Sequence, residues 1–214
     1  MKRRTLDVLF SAGGIALAGL LLVLGLVMTS NANFSKNYVT DQLSQQNIKF
    51  PPADVLSSEE KQSTCVVKYA SQQLTTGKQA ECYANDFIGL HLQSIAGGQT
   101  YADLGEPQSA LRDEVATAEE ANAPTLAGLQ EELAAITGQR DSLFKGEALR
   151  GLLLTSYGFS VFGVKGEQVA TVAYVAAALL ALLSLAGFAH AFKTPKDETF
   201  AAPERVKAKQ LVGV

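Results

Sequence analysis

Histidine and cysteine are scarce in this chain, two of each among 214 residues, and that scarcity removes most metal and covalent chemistry. The histidines are His91 and His190, with most of a long apolar run between them. If that run crosses a membrane, the two rings lie on opposite sides. They then cannot share a metal, complete a facial triad or ligate one haem. Cys-x-x-Cys-His, Gly-x-Ser-x-Gly and phosphate-loop patterns are absent from the sequence as well. Adjacent acids such as Asp113–Glu114, Glu119–Glu120 and Glu131–Glu132 read as solvated faces. A catalytic dyad needs opposed carboxylates at a fixed separation. His91 could pair with Asp86 or Asp103 for acid–base work, but a lone helix histidine reads as structural. The expectation is a non-enzyme with no catalytic residue, no metal and no cofactor.

Charge is missing where it matters most. Val8–Met28 is a run of 21 residues without a charge, and Val169–Phe192 is a run of 24 in which only His190 can ionise. About 20 helical residues cross a hydrocarbon core of roughly 30 Å, so both runs are expected to be transmembrane helices. The first could also be a secretory signal, since "MKRR" is a basic start and Ser30 and Ala32 suit a cleavage site. Its length favours a retained anchor. Neither span contains Asp, Glu, Lys or Arg, which disfavours a transporter.

Orientation follows from the flanking charges. Lys2, Arg3 and Arg4 stand against Asp7 at one end. Lys193, Lys196, Arg205, Lys207 and Lys209 stand against Asp197, Glu198 and Glu204 at the other. Residues 30–168 carry 10 basic and 17 acidic side chains, a net of −7, which also argues against a nucleic-acid partner. The expected architecture is an all-α membrane protein with two transmembrane helices and an extracytoplasmic helical domain between them, in the cell membrane. In order it comprises a cytoplasmic N-terminus (1–7), a span (8–28), the outer domain (29–148), a glycine-rich apolar juxtamembrane segment (149–168), a span (169–192) and a cytoplasmic tail (193–214).

An outer location makes Cys65 and Cys82 a candidate disulfide. Free thiols are the alternative, and a metal or redox pair lacks further ligands and the Cys-x-x-Cys spacing. Two capping boxes punctuate this stretch, Ser57 with Glu60 and Thr76 with Gln79. Each predicts a helix, the second over about Lys78–Ile95, and together they form a hairpin that the disulfide would tie. Pro51 and Pro52 forbid helix just before it. A solvated helix is expected to end near Asn122, and another to start at Pro124 with Leu126, Leu129, Leu133 and Ile136 along one face.

Contact surfaces are expected in two places. Small residues recur four apart at Ala12 and Ala16, at Gly14 and Ala18, and at Ala173, Ala177 and Ala181. Such faces let helices approach closely in lipid, either each other or a partner's. The segment 149–168 offers Leu152, Tyr157, Phe159 and Phe162 among four glycines. It reads as an element at the outer membrane surface or as a patch that receives a partner.

"YVTDQLSQQNIKFPP", "LTTGKQAECYANDFIGLHL", "TYADLG" and "LRGLLLTSYGFSVFG" together resemble a family of actinobacterial two-span membrane proteins without an assigned function. The resemblance covers most of residues 34–185. That family includes an association factor of the cytochrome bcc–cytochrome oxidase respiratory supercomplex. The resemblance implies an accessory subunit of the electron transport chain, with integral membrane subunits such as cytochrome bcc and cytochrome oxidase, and membrane lipid, as partners. Members also often carry an aromatic ring-opening dioxygenase label, whose iron ligands His91 and His190 cannot supply. The alternative is a self-standing envelope protein whose outer domain binds lipid or a secreted partner.

Overall fold

The computed structural model describes residues 2–196, 198 and 199. Arg205, Lys207, Lys209, Asp197 and Glu204 of the expected cytoplasmic tail lie outside the described residues. Regular structure among the described residues is helical: α1 (Arg3–Gln45), α2 (Thr64–Tyr69), α3 (Gly77–Cys82), α4 (Gly89–Ile95), α5 (Gly105–Glu120) and α6 (Leu126–Lys193). A 3-10 turn (Glu60–Gln62) precedes α2, and a π-helical turn (Tyr83–Ile88) joins α3 to α4. Two isolated bridges, Lys2 to Thr199 and Lys49 to Gln73, are the only β pairing among these residues. The described residues form two compact units, one up to Asn31 and from Lys165 onward, the other Ala32–Val164.

In the first unit α1 and α6 pair along their apolar lengths. Each is long and apolar enough to cross a membrane, with a mean hydropathy of 2.3 in its most apolar window. Small residues set the approach. A Cβ on Gly14 would collide with Ser184, one on Gly187 would collide with Ser11, and one on Gly25 would stand 2.5 Å from the Tyr174 ring. Polar pins sit at both ends of the pair. Thr29 Oγ1 and Tyr174 Oη are 3.0 Å apart, and His190 Nδ1 lies 2.9 Å from Asp7 Oδ2.

The second unit is built around Phe50, Val66 and Leu74, each almost wholly buried. Pro51 and Pro52 keep their segment extended. Its backbone pairs across to the chain before α3, with Phe50 N donating to Gln72 O (2.9 Å) and Leu74 N to Ile48 O (2.8 Å). Leu92 of α4 and Leu143 and Leu153 of α6 complete the core.

Both capping boxes form. Ser57 Oγ accepts from Glu60 N at 3.1 Å while Ser57 N donates to Glu60 Oε2 at 2.6 Å. Gln79 and Thr76 cap each other at the start of α3. The first box yields only a 3-10 turn, because Ser63 returns to extended backbone and its side chain caps α2 afresh at Val66 N. The first arm of the hairpin, expected as one helix from the Ser57 cap, is therefore a turn followed by six helical residues. The second arm runs from Gly77 to Ile95 with the π turn inside it.

The largest difference from the sequence reading is α6. The helix begins at Leu126 and continues through the glycine-rich stretch 149–168 without a break. Glycine costs roughly 1 kcal/mol against alanine inside a helix, but Gly163 has a packing reason to be there. A Cβ on it would stand 3.1–3.3 Å from Ser35 and the Ala32 carbonyl of α1. Ser35 Oγ also donates to Phe159 O at 2.6 Å, which ties the two helices at that level.

Candidate functional site

Cys65 and Cys82 are joined, with Sγ–Sγ 2.02 Å and Cα–Cα 6.1 Å. Asp86 Oδ2 lies 2.9 Å from Cys65 Sγ and accepts from Ser63 Oγ at 2.8 Å. A disulfide sulfur has no proton to donate, so the first is a contact between carboxylate oxygen and divalent sulfur. The two sulfurs and an Asp86 carboxylate oxygen lie within 4.8 Å of one another. Metal binding needs the thiolates, and the bond between the sulfurs removes them.

His91 corrects one expectation. Neither Asp86 nor Asp103 pairs with it: its Nδ1 lies 2.8 Å from Phe87 O and its Nε2 lies 3.6 Å from Glu60 Oε1. Asp86 is engaged by Ser63. Asp103 caps its own loop, accepting from Thr100 N (2.8 Å) and Thr100 Oγ1 (2.7 Å), and these bonds hold its carboxyl below the usual range. The π turn sets Tyr83, Phe87 and His91 in a ladder that begins at Phe50, with ring centroids 5.1, 4.7 and 4.6 Å apart. Burial pushes the Tyr83 hydroxyl up. The ladder packs outward from the core at Phe50, and the histidine at its exposed end faces a carboxylate that also serves as a cap.

Residues proposed from the spans divide into two sets. Ala18, Ala173 and Ala177 are buried, and Gly14 and Ala181 half-buried, while Ala12 and Ala16 are exposed. The contact between α1 and α6 thus takes up the buried set, leaving Ala12 and Ala16 among the outward residues.

The segment 149–168 contributes an apolar cleft to the second unit. It is about 340 Å³ and lies between Tyr38, Val39 and Leu43 of α1 and Leu152, Leu153 and Phe159 of α6. Beside it Phe34 stacks on Tyr38 (5.7 Å) and Tyr38 meets Phe159 (5.8 Å). Leu152 is 68% exposed and Phe162 76%. Tyr157 behaves differently. It is half-buried and faces Lys78, whose Nζ stands 4.8 Å over its ring and 3.3 Å from its hydroxyl. Glu81, at 2.9 Å, is the main cause raising the Lys78 ammonium above its ordinary value, with Tyr157 second.

A second cleft escaped the sequence reading. It is about 500 Å³ and is bounded by Asn85, Leu92, Tyr101, Leu143, Glu147 and Arg150. Arg150 donates to Asn85 Oδ1 (3.3 Å) and Glu147 Oε2 (3.2 Å), and its buried Nε has no partner. The only signal was one cation at the head of an apolar stretch. No protein-family model, curated protein or solved structure matches the chain.

Proposed function

We propose that this chain is a two-span membrane protein serving as a non-catalytic accessory subunit, with both termini cytoplasmic and the Ala32–Val164 unit outside. The observation that carries the docking role is the aromatic and aliphatic face around the 340 Å³ cleft, where Leu152 and Phe162 are more than half exposed. Contiguous apolar surface of this kind marks a binding face. Three further observations support the placement. Only 17% and 22% of the two most apolar windows are buried, whereas a soluble core helix would hide most of its length. Gly14 and Gly25 of α1 are fitted to Ser184 and Tyr174 of α6, so loss of α1 as a cleaved signal would strip one face of α6. The Cys65–Cys82 bond suits an oxidising compartment.

The partner class is integral membrane protein, and the resemblance makes a cytochrome bcc–cytochrome oxidase assembly the first to test. Extraction of native membranes in a mild detergent should show the chain co-migrating with a large complex on a native gel. Leu152→Ser/Phe159→Ser should return it to the position of the free chain. Migration of the unaltered chain as a free species in several mild detergents would overturn the proposal.

A further inference from the structure

A second apolar groove lies on the paired apolar helices themselves. It is about 310 Å³ and runs between Leu21 and Leu24 of α1 and Val169, Val172 and Ala176 of α6, with Gln168 at one end. Its origin is steric. Gly25 draws the Tyr174 ring into the contact between the helices, while Ala176 is too small to fill the space beside it. From Gln168 to Ala176 is eight residues, about 12 Å along the helix. Apart from the amide of Gln168 the lining is hydrocarbon.

Lys165 continues the same stripe. Positions 165, 169, 172 and 176 follow the i, i+4, i+7, i+11 spacing of one helix face. Lys165 is exposed and makes no ion pair among the described residues. Glu167, two positions on, points about 200° around the helix and so away from that face. An apolar groove with one exposed cation about a helical turn beyond its Gln168 end is complementary to an amphipathic anion. A partner's side chain would instead need a compact hole between four residues.

We infer that this groove holds one acyl chain of an anionic phospholipid whose phosphate meets Lys165. The inference rests on the two-span reading, because only then does the groove face lipid. The test uses the full chain in mild detergent, incubated with mixed micelles of phosphatidylglycerol or phosphatidylcholine, and counts retained lipid by native mass spectrometry. One phosphatidylglycerol should be retained in preference to phosphatidylcholine. Lys165→Gln should reduce its retention about fivefold, the effect of one basic residue at an anionic surface, and reduce that of phosphatidylcholine, whose phosphate is offset by its own ammonium, by less. Ala176→Phe should fill the groove and reduce both. Equal retention of the two lipids, or no change in Lys165→Gln, overturns the inference. Alkaline extraction of the source membranes separates the two ideas. A chain released to the supernatant sinks the two-span reading and the lipid site together, whereas a membrane-retained chain without lipid preference sinks the lipid site alone.

Discussion

Asp86 sets a carboxylate against the disulfide. Cys82 is buried and Cys65 only partly so, which leaves Cys65 as the sulfur a reductant can reach, and the Asp86 carboxylate stands 2.9 Å from it. Reduction begins with a thiolate attacking that sulfur, so an anionic attacker meets a like charge. Two unit charges about 4 Å apart in water interact by about 1 kcal/mol, which sets the scale. Asp86→Asn should speed reduction by 2-mercaptoethanesulfonate roughly fivefold and give no such gain with the cationic thiol cysteamine. Equal acceleration with both thiols would show that the charge is not the cause. Asp103 has a pH signature of its own. Its bonds to Thr100 depress the carboxyl in the folded state below its ordinary 3.8. Its stabilisation is therefore present above that value and lost as pH falls through the depressed one. Asp103→Ala should lower the urea midpoint near pH 7 by more than it does in acid well below 3.8, as read by circular dichroism.

Several of the close helix contacts in this chain fall at a glycine. A Cβ on Gly77 would collide with Ser160 and stand 3.3 Å from the Tyr157 backbone, so α3 starts directly against α6. Gly77→Ala should destabilise the second unit by about 1–3 kcal/mol, the usual cost of overpacking, measured by chemical denaturation. The disulfide fixes α2 to α3 a short way off. Its loop is near the size for which chain entropy gives about 3 kcal/mol, so Cys65→Ser/Cys82→Ser should lower stability by that order in the same assay. Much at this level was legible from local chemistry. Ser57 with Glu60 and Thr76 with Gln79 could be read as caps because a cap involves neighbours in sequence. The extent of α6 could not. Gly151, Gly158, Gly163 and Gly166 read as interruptions, yet α6 runs through all four, and at Gly163 the close approach of Ser35 and Ala32 gives the missing side chain a packing reason. The fresh cap at Ser63 and the π turn before α4 likewise depend on the core they serve.

The all-helical character and the two apolar helices followed from charge-free runs, which owe nothing to tertiary contacts. The Arg150 cleft did not, because its walls come from three distant stretches: Asn85 to Leu92, the loop at Tyr101, and α6. The small-residue faces were ambiguous for a related reason. Spacing says that a helix can be approached closely, not by which neighbour, and the Ser184 and Tyr174 side chains answer that for Gly14 and Gly25. The proposed role depends on where the Ala32–Val164 unit is displayed. Intact cells carrying the chain with an epitope tag at each terminus should be treated with trypsin, with and without membrane permeabilisation. The account predicts cleavage within residues 36–165 in intact cells while both tags stay protected until the membrane is opened. Tags lost from intact cells with the middle of the chain untouched would contradict it.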